Sequence, residues 1–195
     1  MRNIAVGILI GVFASTGWQA VTFSQSPAPP NMAFDITKAD VDTLLKNAPP
    51  AVDQQLRVVD VGKYNIAVGI IHRGPTKDVP GEAARGPYHD DSAEVYIIQS
   101  GSGILTTGGT MTDVRPSPNY NLLNGPGGSG AAGQNAYSRR VNPGDIIIIP
   151  PKVLHAFSQI TDHVTYLSVR PDPGRVLPGG YVHPLLLKNA PAPAK

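Results

Sequence analysis

Two histidines and one glutamate carry the most explicit chemistry in the sequence. His89 opens the stretch His89-Asp90-Asp91-Ser92-Ala93-Glu94-Val95-Tyr96-Ile97-Ile98-Gln99-Ser100-Gly101. His155 follows a second stretch, Pro143-Gly144-Asp145-Ile146-Ile147-Ile148-Ile149-Pro150. Imidazole nitrogens and a carboxylate oxygen together make a donor set for a divalent transition metal, provided separate strands bring them to one point. Two imidazoles and one carboxylate on one side of an ion leave positions open for water, dioxygen or substrate, as in non-haem Fe(II) sites. A tetrahedral Zn²⁺ would instead keep a bound water and lower its pKa to about 7. Mn²⁺ and Ni²⁺ suit the same nitrogen and oxygen donors. The chain has no cysteine, which excludes disulfides, thiolate ligands and a cysteine nucleophile.

The elements that must position these residues read mainly as strands. Gly 21 and Pro 20 in 195 residues favour many short strands and turns over long helices. One helix is expected over 34–47, where Thr37 and Asp40 form a short capping box and Val41, Leu44 and Leu45 an apolar stripe. Strands are expected at 56–61 and 64–72, followed by a Gly- and Pro-punctuated loop over 74–87 that delivers the chain to His89. A strand over 94–99 puts Glu94, Tyr96 and Ile98 on one face. Ser100-Gly101-Ser102-Gly103 then reads as the turn of a hairpin returning through Ile104 to Thr107. The segment 108–134 reads as a long Gly/Pro-rich insertion, either ornament or a flap over a barrel mouth. The run Ile146 to Ile149 reads as a strand buried on both faces. Strands at 155–158 and 164–170 complete the set. His89 and Glu94 would face opposite ways on one straight strand, so Asp90-Asp91-Ser92 must bend the chain between them.

Hydrophobic content of 41% and charged content of 15% make a packed core feasible. The net charge of +2, without a basic stripe, gives no ground for nucleic-acid binding. Residues 1–26 read as a signal peptide: Arg2, an apolar stretch from Ile4 to Ala14, then small and polar residues up to a cleavage point near Ala20 or after Ser26. An uncleaved anchor is the alternative, although the apolar run falls short of the roughly 20 residues of a membrane span. A Pro-rich linker over 27–33, a β domain over 34–185 and a flexible tail over 186–195 follow. The mature protein is therefore expected to be periplasmic or secreted, with no stable membrane span.

With these residues laid out, a family resemblance becomes specific. His89, four residues, Glu94, six residues and Gly101 resemble the second half of the first cupin motif. Gly144, five residues, Pro150 and then His155 resemble the second cupin motif. The resemblance covers about 88–159 and implies an all-β, cupin-type jelly-roll barrel with a short N-terminal helix. It implies that His89, Glu94 and His155 hold a divalent metal (Fe, Mn, Zn or Ni). The motif's first histidine falls on Pro87, its second-motif glycine on Lys152 and its final asparagine on Gln159. The implied ligand set is therefore three residues instead of four.

Tyr96 and Phe157 each share a strand face with an implied ligand and are candidates to line a pocket, as is Tyr88. His72 is a candidate for a replacement ligand, with a surface position as the alternative. His163 beside Asp162 reads as a solvated turn residue. Two functions stay open: a metal-dependent enzyme on a small organic molecule (oxidoreductase of dioxygenase type, isomerase or lyase), or a non-catalytic barrel that binds a sugar, a metabolite or the ion itself. The expected partner is a small-molecule ligand, and the resemblance leaves room for a homodimer.

Overall fold

The structure is a computed structural model that describes residues 33–47, 52–117 and 124–187. The expected leader over 1–26 and all of the 27–33 linker except Ala33 lie outside the described residues, as does the expected 186–195 tail from 188 on; its first two residues instead belong to the second helix, with Leu186 buried. The elements run α1 (Lys38–Asn47), β1 (Asp53–Asp60), β2 (Asn65–Arg73), β3 (Arg85–His89), β4 (Glu94–Gly101), β5 (Gly103–Thr107), β6 (Met111–Ser117), β7 (Gly127–Ala132), β8 (Tyr137–Val141), β9 (Ile146–Ile149), β10 (His155–Ser158), β11 (Val164–Asp172) and α2 (Pro184–Leu187). The jelly-roll expectation holds. An antiparallel sheet in the order β1-β2-β11-β4-β9 forms one layer. The sheets β10-β5-β8 and β3-β7-β6 form the other.

The N-terminal helix is capped as its sequence dictates. The Asp40 amide donates to Thr37 Oγ1 at 3.2 Å and the Thr37 amide donates to Asp40 Oδ2 at 2.9 Å. The helix begins at Lys38, four residues later than Phe34. Leu44 packs with Leu56, Ile70 and Leu186, so α1 and α2 cover the outer face of β1 and β2. The inner core joins Ile71, Tyr96, Ile98, Leu105, Val141, Ile149, Val164 and Tyr166. It lies where the large sheet faces β10-β5-β8. Strand alternation sets it up: Glu94, Tyr96 and Ile98 are all buried on one face of β4, as the period of two requires.

Four expectations are corrected. β4 and β5 do not form a hairpin, because β4 pairs with β11 and β9 whereas β5 pairs with β10 and β8. The chain instead turns the corner between layers at Gly101, where φ is +72° and a Cβ would lie 2.0 Å from the His163 carbonyl oxygen. The described parts of 108–134 belong to the framework, since β6 and β7 pair with each other and β7 pairs with β3, while 118–123 lie outside the described residues. The start of β3 likewise claims Gly86 and Pro87 from the expected loop. Finally, β9 is an edge strand. Ile149 is 2% exposed, but Ile146 and Ile148 are 63% and 73% exposed on its outer face.

One packing detail brings the two halves of the site together. β10 and β3 lie side by side at the seam between the two smaller sheets. A Cβ on Gly86 would sit 2.1 Å from the His155 carbonyl oxygen and 2.8 Å from Ala156 Cα. Only glycine allows β3 to approach β10 this closely, with His89 at the end of one strand and His155 at the start of the other.

The corrected placement of β9 predicts a contrast. Ile149→Ala should cost about 2–5 kcal/mol as a buried truncation, whereas Ile148→Ala should stay within about 0.5 kcal/mol. Urea denaturation reads both; equal costs would mean that β9 is buried on both faces.

Candidate metal centre

His89 closes β3, Glu94 opens β4 and His155 opens β10. The turn Asp90 to Ala93 supplies the bend between the first two, with the Asp90 amide donating to the Pro126 carbonyl at 3.0 Å. One donor atom from each of the three side chains lies within 4.8 Å of the others. All three side chains are buried, at 5%, 1% and 3% exposure respectively. His89 Nε2 is 3.6 Å and His155 Nε2 3.0 Å from Glu94 Oε2, and the two imidazole centroids are 5.3 Å apart.

The proton positions show what this cluster fits. His155 Nδ1 lies 2.9 Å from the Val153 carbonyl, which can only accept, so Nδ1 carries the proton in a neutral ring. That leaves the lone pair of Nε2 facing Glu94 Oε2. The distance is that of a hydrogen bond, yet the alignment is not, and Nε2 is buried without a hydrogen-bond partner among the described residues. His89 Nδ1 is buried without one as well. Two lone pairs facing each other at 3.0 Å repel unless a cation lies where they converge. The donor set therefore fits a divalent metal of the kind bound by nitrogen and oxygen.

Glu94 is held by a group that the sequence reading missed. Arg170 is fully buried on β11, and its Nε donates to Glu94 Oε1 at 2.6 Å. Ser168 Oγ donates to the same oxygen at 2.9 Å. Oε1 is thereby occupied, and Oε2 is the oxygen turned toward the imidazoles, where it also accepts from the Tyr96 hydroxyl at 2.9 Å. The remaining donors of Arg170 reach Gln55 Oε1 at 2.7 Å, Asn124 Oδ1 at 3.1 Å and Asp53 Oδ2 at 2.5 Å. Burial works against the Glu94 carboxylate, but the Arg170 charge prevails and holds its pKa well below the usual carboxylate range. Burial, with the Glu94 charge adding, pushes the Tyr96 hydroxyl well above its ordinary pKa, so it stays a donor. Two carboxylates against one guanidinium leave a surplus negative charge beside the imidazoles, which also favours a cation.

The cluster opens into a cavity of about 750 Å³. Its wall includes Tyr96, Tyr166 and Pro87, together with Gly128 and Ser129 of β7. Tyr88 is buried elsewhere, packed against Gly128, and is not on the wall. Phe157 packs tilted against Tyr166 with centroids 5.4 Å apart and lies outside the wall too. His72 is exposed, with Nδ1 2.8 Å from Thr165 Oγ1 and its ring stacked on His163, so it does not replace the ligand absent at Pro87. His163 is tied down more than a solvated turn residue, through Asp162 at 2.7 Å and Ser100 at 3.0 Å. Lys152 and Gln159, at the motif's glycine and asparagine positions, adopt φ of +65° and +50°. Those are backbone conformations that glycine and asparagine tolerate best, so the substitutions keep the motif's shape.

The signal for Arg170 was present as alternation. Tyr166, Ser168, Arg170 and Asp172 occupy every second position of one strand, and all four are buried. Polar residues at inward positions mark a network rather than plain core.

No family model matches the chain, and no curated protein does. Among solved structures it is similar to a Cupin 2 conserved barrel domain protein from Salinispora arenicola CNS-205, at 14% identity over 74% of this chain and 94% of that one, with a TM-score of 0.42. The chain is also similar to BH2720 from Bacillus halodurans, at 14% identity over 84% of this chain and 98% of that one, with a TM-score of 0.43. The DMSP lyase DddQ from Ruegeria pomeroyi DSS-3 matches at 14% identity over 56% of this chain, with a TM-score of 0.34, and the chain spans 39% of that structure's length. These likenesses concern fold. What this centre does follows from the side chains gathered in it.

Arg170→Met removes the only cation in direct contact with Glu94 and Asp53 among the described residues. It should cost about 3–5 kcal/mol, because the buried Glu94 and the partly buried Asp53 lose their partner. The double variant with Glu94→Gln should cost less than the two single changes added together. Chemical denaturation of the four proteins measures this; strict additivity would mean that the contact contributes nothing specific.

Proposed function

We propose that the chain is an exported, metal-dependent cupin that acts on a small organic molecule. His155 Nε2, Glu94 Oε2 and a ring nitrogen of His89 would hold a divalent ion. The carrying observation is the set of buried imidazole and carboxylate donors, within 4.8 Å of one another, opening into a cavity of about 750 Å³. That volume is in the range of pockets that enclose metabolite-sized ligands, roughly 300–1,000 Å³.

A bound ion there would supply Lewis-acid polarisation of a ligand oxygen. The chain's own groups do the rest. The Val153 carbonyl fixes the His155 tautomer. Arg170 and Ser168 take one oxygen of Glu94, orienting the other toward the cavity. Tyr96 keeps its proton and donates a hydrogen bond to Glu94 Oε2, close to where a ligand would sit.

Pro87 favours a second reading. With no fourth side-chain ligand at that position, the same site suits a protein that binds a metabolite without turning it over. Oxygen-dependent, isomerase and lyase substrates presented to the metal-loaded protein separate enzyme from binder. Export rests on the sequence of residues 1–26 alone, and among the described residues no helix is long and apolar enough to cross a membrane.

Elemental analysis of the untagged mature chain should find about one divalent ion per molecule, and His155→Ala should lose it while keeping its fold by circular dichroism. Equal metal content in the wild type and the variant would contradict this ligand assignment, as would the lack of any retained or titratable metal.

A further inference from the structure

The cavity wall carries four arginines, Arg73, Arg85, Arg115 and Arg170, against two carboxylates, Asp53 and Glu94. Arg170 accounts for both carboxylates. Arg85 is shared with the exposed Asp113 at 3.1 Å. Arg115 is exposed on β6 and has no ion-pair partner among the described residues. Arg73 is the unusual one. It ends β2 at the cavity wall and is only partly exposed. Its Nε donates to the Tyr166 hydroxyl at 3.0 Å, and its guanidinium carbon lies 5.7 Å from the centroid of the Phe157 ring. Both contacts are with neutral aromatic residues. The two terminal amino groups meet no hydrogen-bond partner among the described residues.

A half-buried guanidinium whose two terminal nitrogens have no acceptor among the described residues is an anion site in waiting. Its planar fork matches the two oxygens of a carboxylate, and its anchored Nε and aromatic support fix the plane in advance. Resting on the metal-cavity reading above and deepening it, we infer that the ligand is a small organic carboxylate whose carboxylate group docks on Arg73. Contacts run from this anchor through the Tyr166 and Tyr96 rings, whose centroids are 4.3 Å apart, to Glu94. The carboxylate thus marks one end of the ligand, and the rest of the molecule extends toward His89, Glu94 and His155. Arg85 and Arg115 add positive charge at the wall, which draws an anion inward. A single fork on an aromatic floor suits a planar monoanionic group better than a phosphate dianion, which calls for several donors around it.

Isothermal titration of the whole chain, as purified and again after chelation, tests this with malonate, succinate and benzoate as probes. Succinamide serves as the neutral control and inorganic phosphate as the competing anion. At least one carboxylate should bind before and after chelation, while succinamide should not. Arg73→Gln should weaken that binding by about tenfold or more, the scale of a lost charge-assisted hydrogen bond. Arg73→Lys, which keeps the charge without the fork, should fall between them and guards against a folding defect in the glutamine variant. His155→Ala should retain carboxylate binding, and Arg73→Gln should retain metal, so that failure of the anion site and failure of the metal site read separately. Equal affinity in wild type and Arg73→Gln overturns the inference. So does the failure of all three carboxylates to bind the wild type, or phosphate binding at Arg73 more tightly than any of them.

Discussion

The buried contact between Arg170 and Glu94 is the constraint on which the centre depends. A carboxylate at 1% exposure would give up its charge if it were alone. Arg170, itself 2% exposed, keeps it ionised and holds Oε1 at 2.6 Å, so only Oε2 is left to face the imidazoles. The arginine is balanced in turn by Asp53 on β1, Gln55 beside it and Asn124 from the segment before β7. Strands distant in sequence are thereby locked to one guanidinium. Such a network adds little net stability over an apolar core, yet every member constrains the position of the others.

Glycine makes the approach of these strands possible. Gly86 lets β3 lie against the backbone of His155, and Gly127 lets β7 lie against Tyr88, where a Cβ would be 2.1 Å from the carbonyl oxygen. Gly101 turns the chain from the large sheet into the opposite layer. The same composition that reads as loop in the sequence is what draws His89 and His155 to within coordinating reach of one carboxylate. Where the large sheet faces β10-β5-β8, the interior fills with Ile, Leu, Val and Tyr side chains. Toward β3-β7-β6 the interior stays open as a cavity, because β7 is built of Gly, Ser and Ala.

The ligand trio, the cap of the first helix and the inward face of β4 were legible because each is a local pattern: a fixed spacing, a capping pair, an alternation. The hairpin at Gly101 was misread because a glycine turn between two strands looks the same whether the strands pair or part. The strands at β6 and β7 were missed because glycine and proline depress strand propensity, and close backbone approach is visible only once the neighbours are known. The isoleucine run was read as buried because nothing in 146–149 reveals that no strand lies on its far side. Arg170 and Arg73 were overlooked for a related reason. A lone arginine near a strand end is ordinarily solvated, and only the fold turns these two inward.

The central claim is that His89, Glu94 and His155 converge on one cation. An anomalous-difference map from a crystal of the mature chain grown with Mn²⁺ or Zn²⁺ tests it most directly. The account predicts one strong peak in coordination contact with His155 Nε2, Glu94 Oε2 and a ring nitrogen of His89. A peak seated on other side chains, or an ordered cluster with no peak in it at saturating metal, would contradict it.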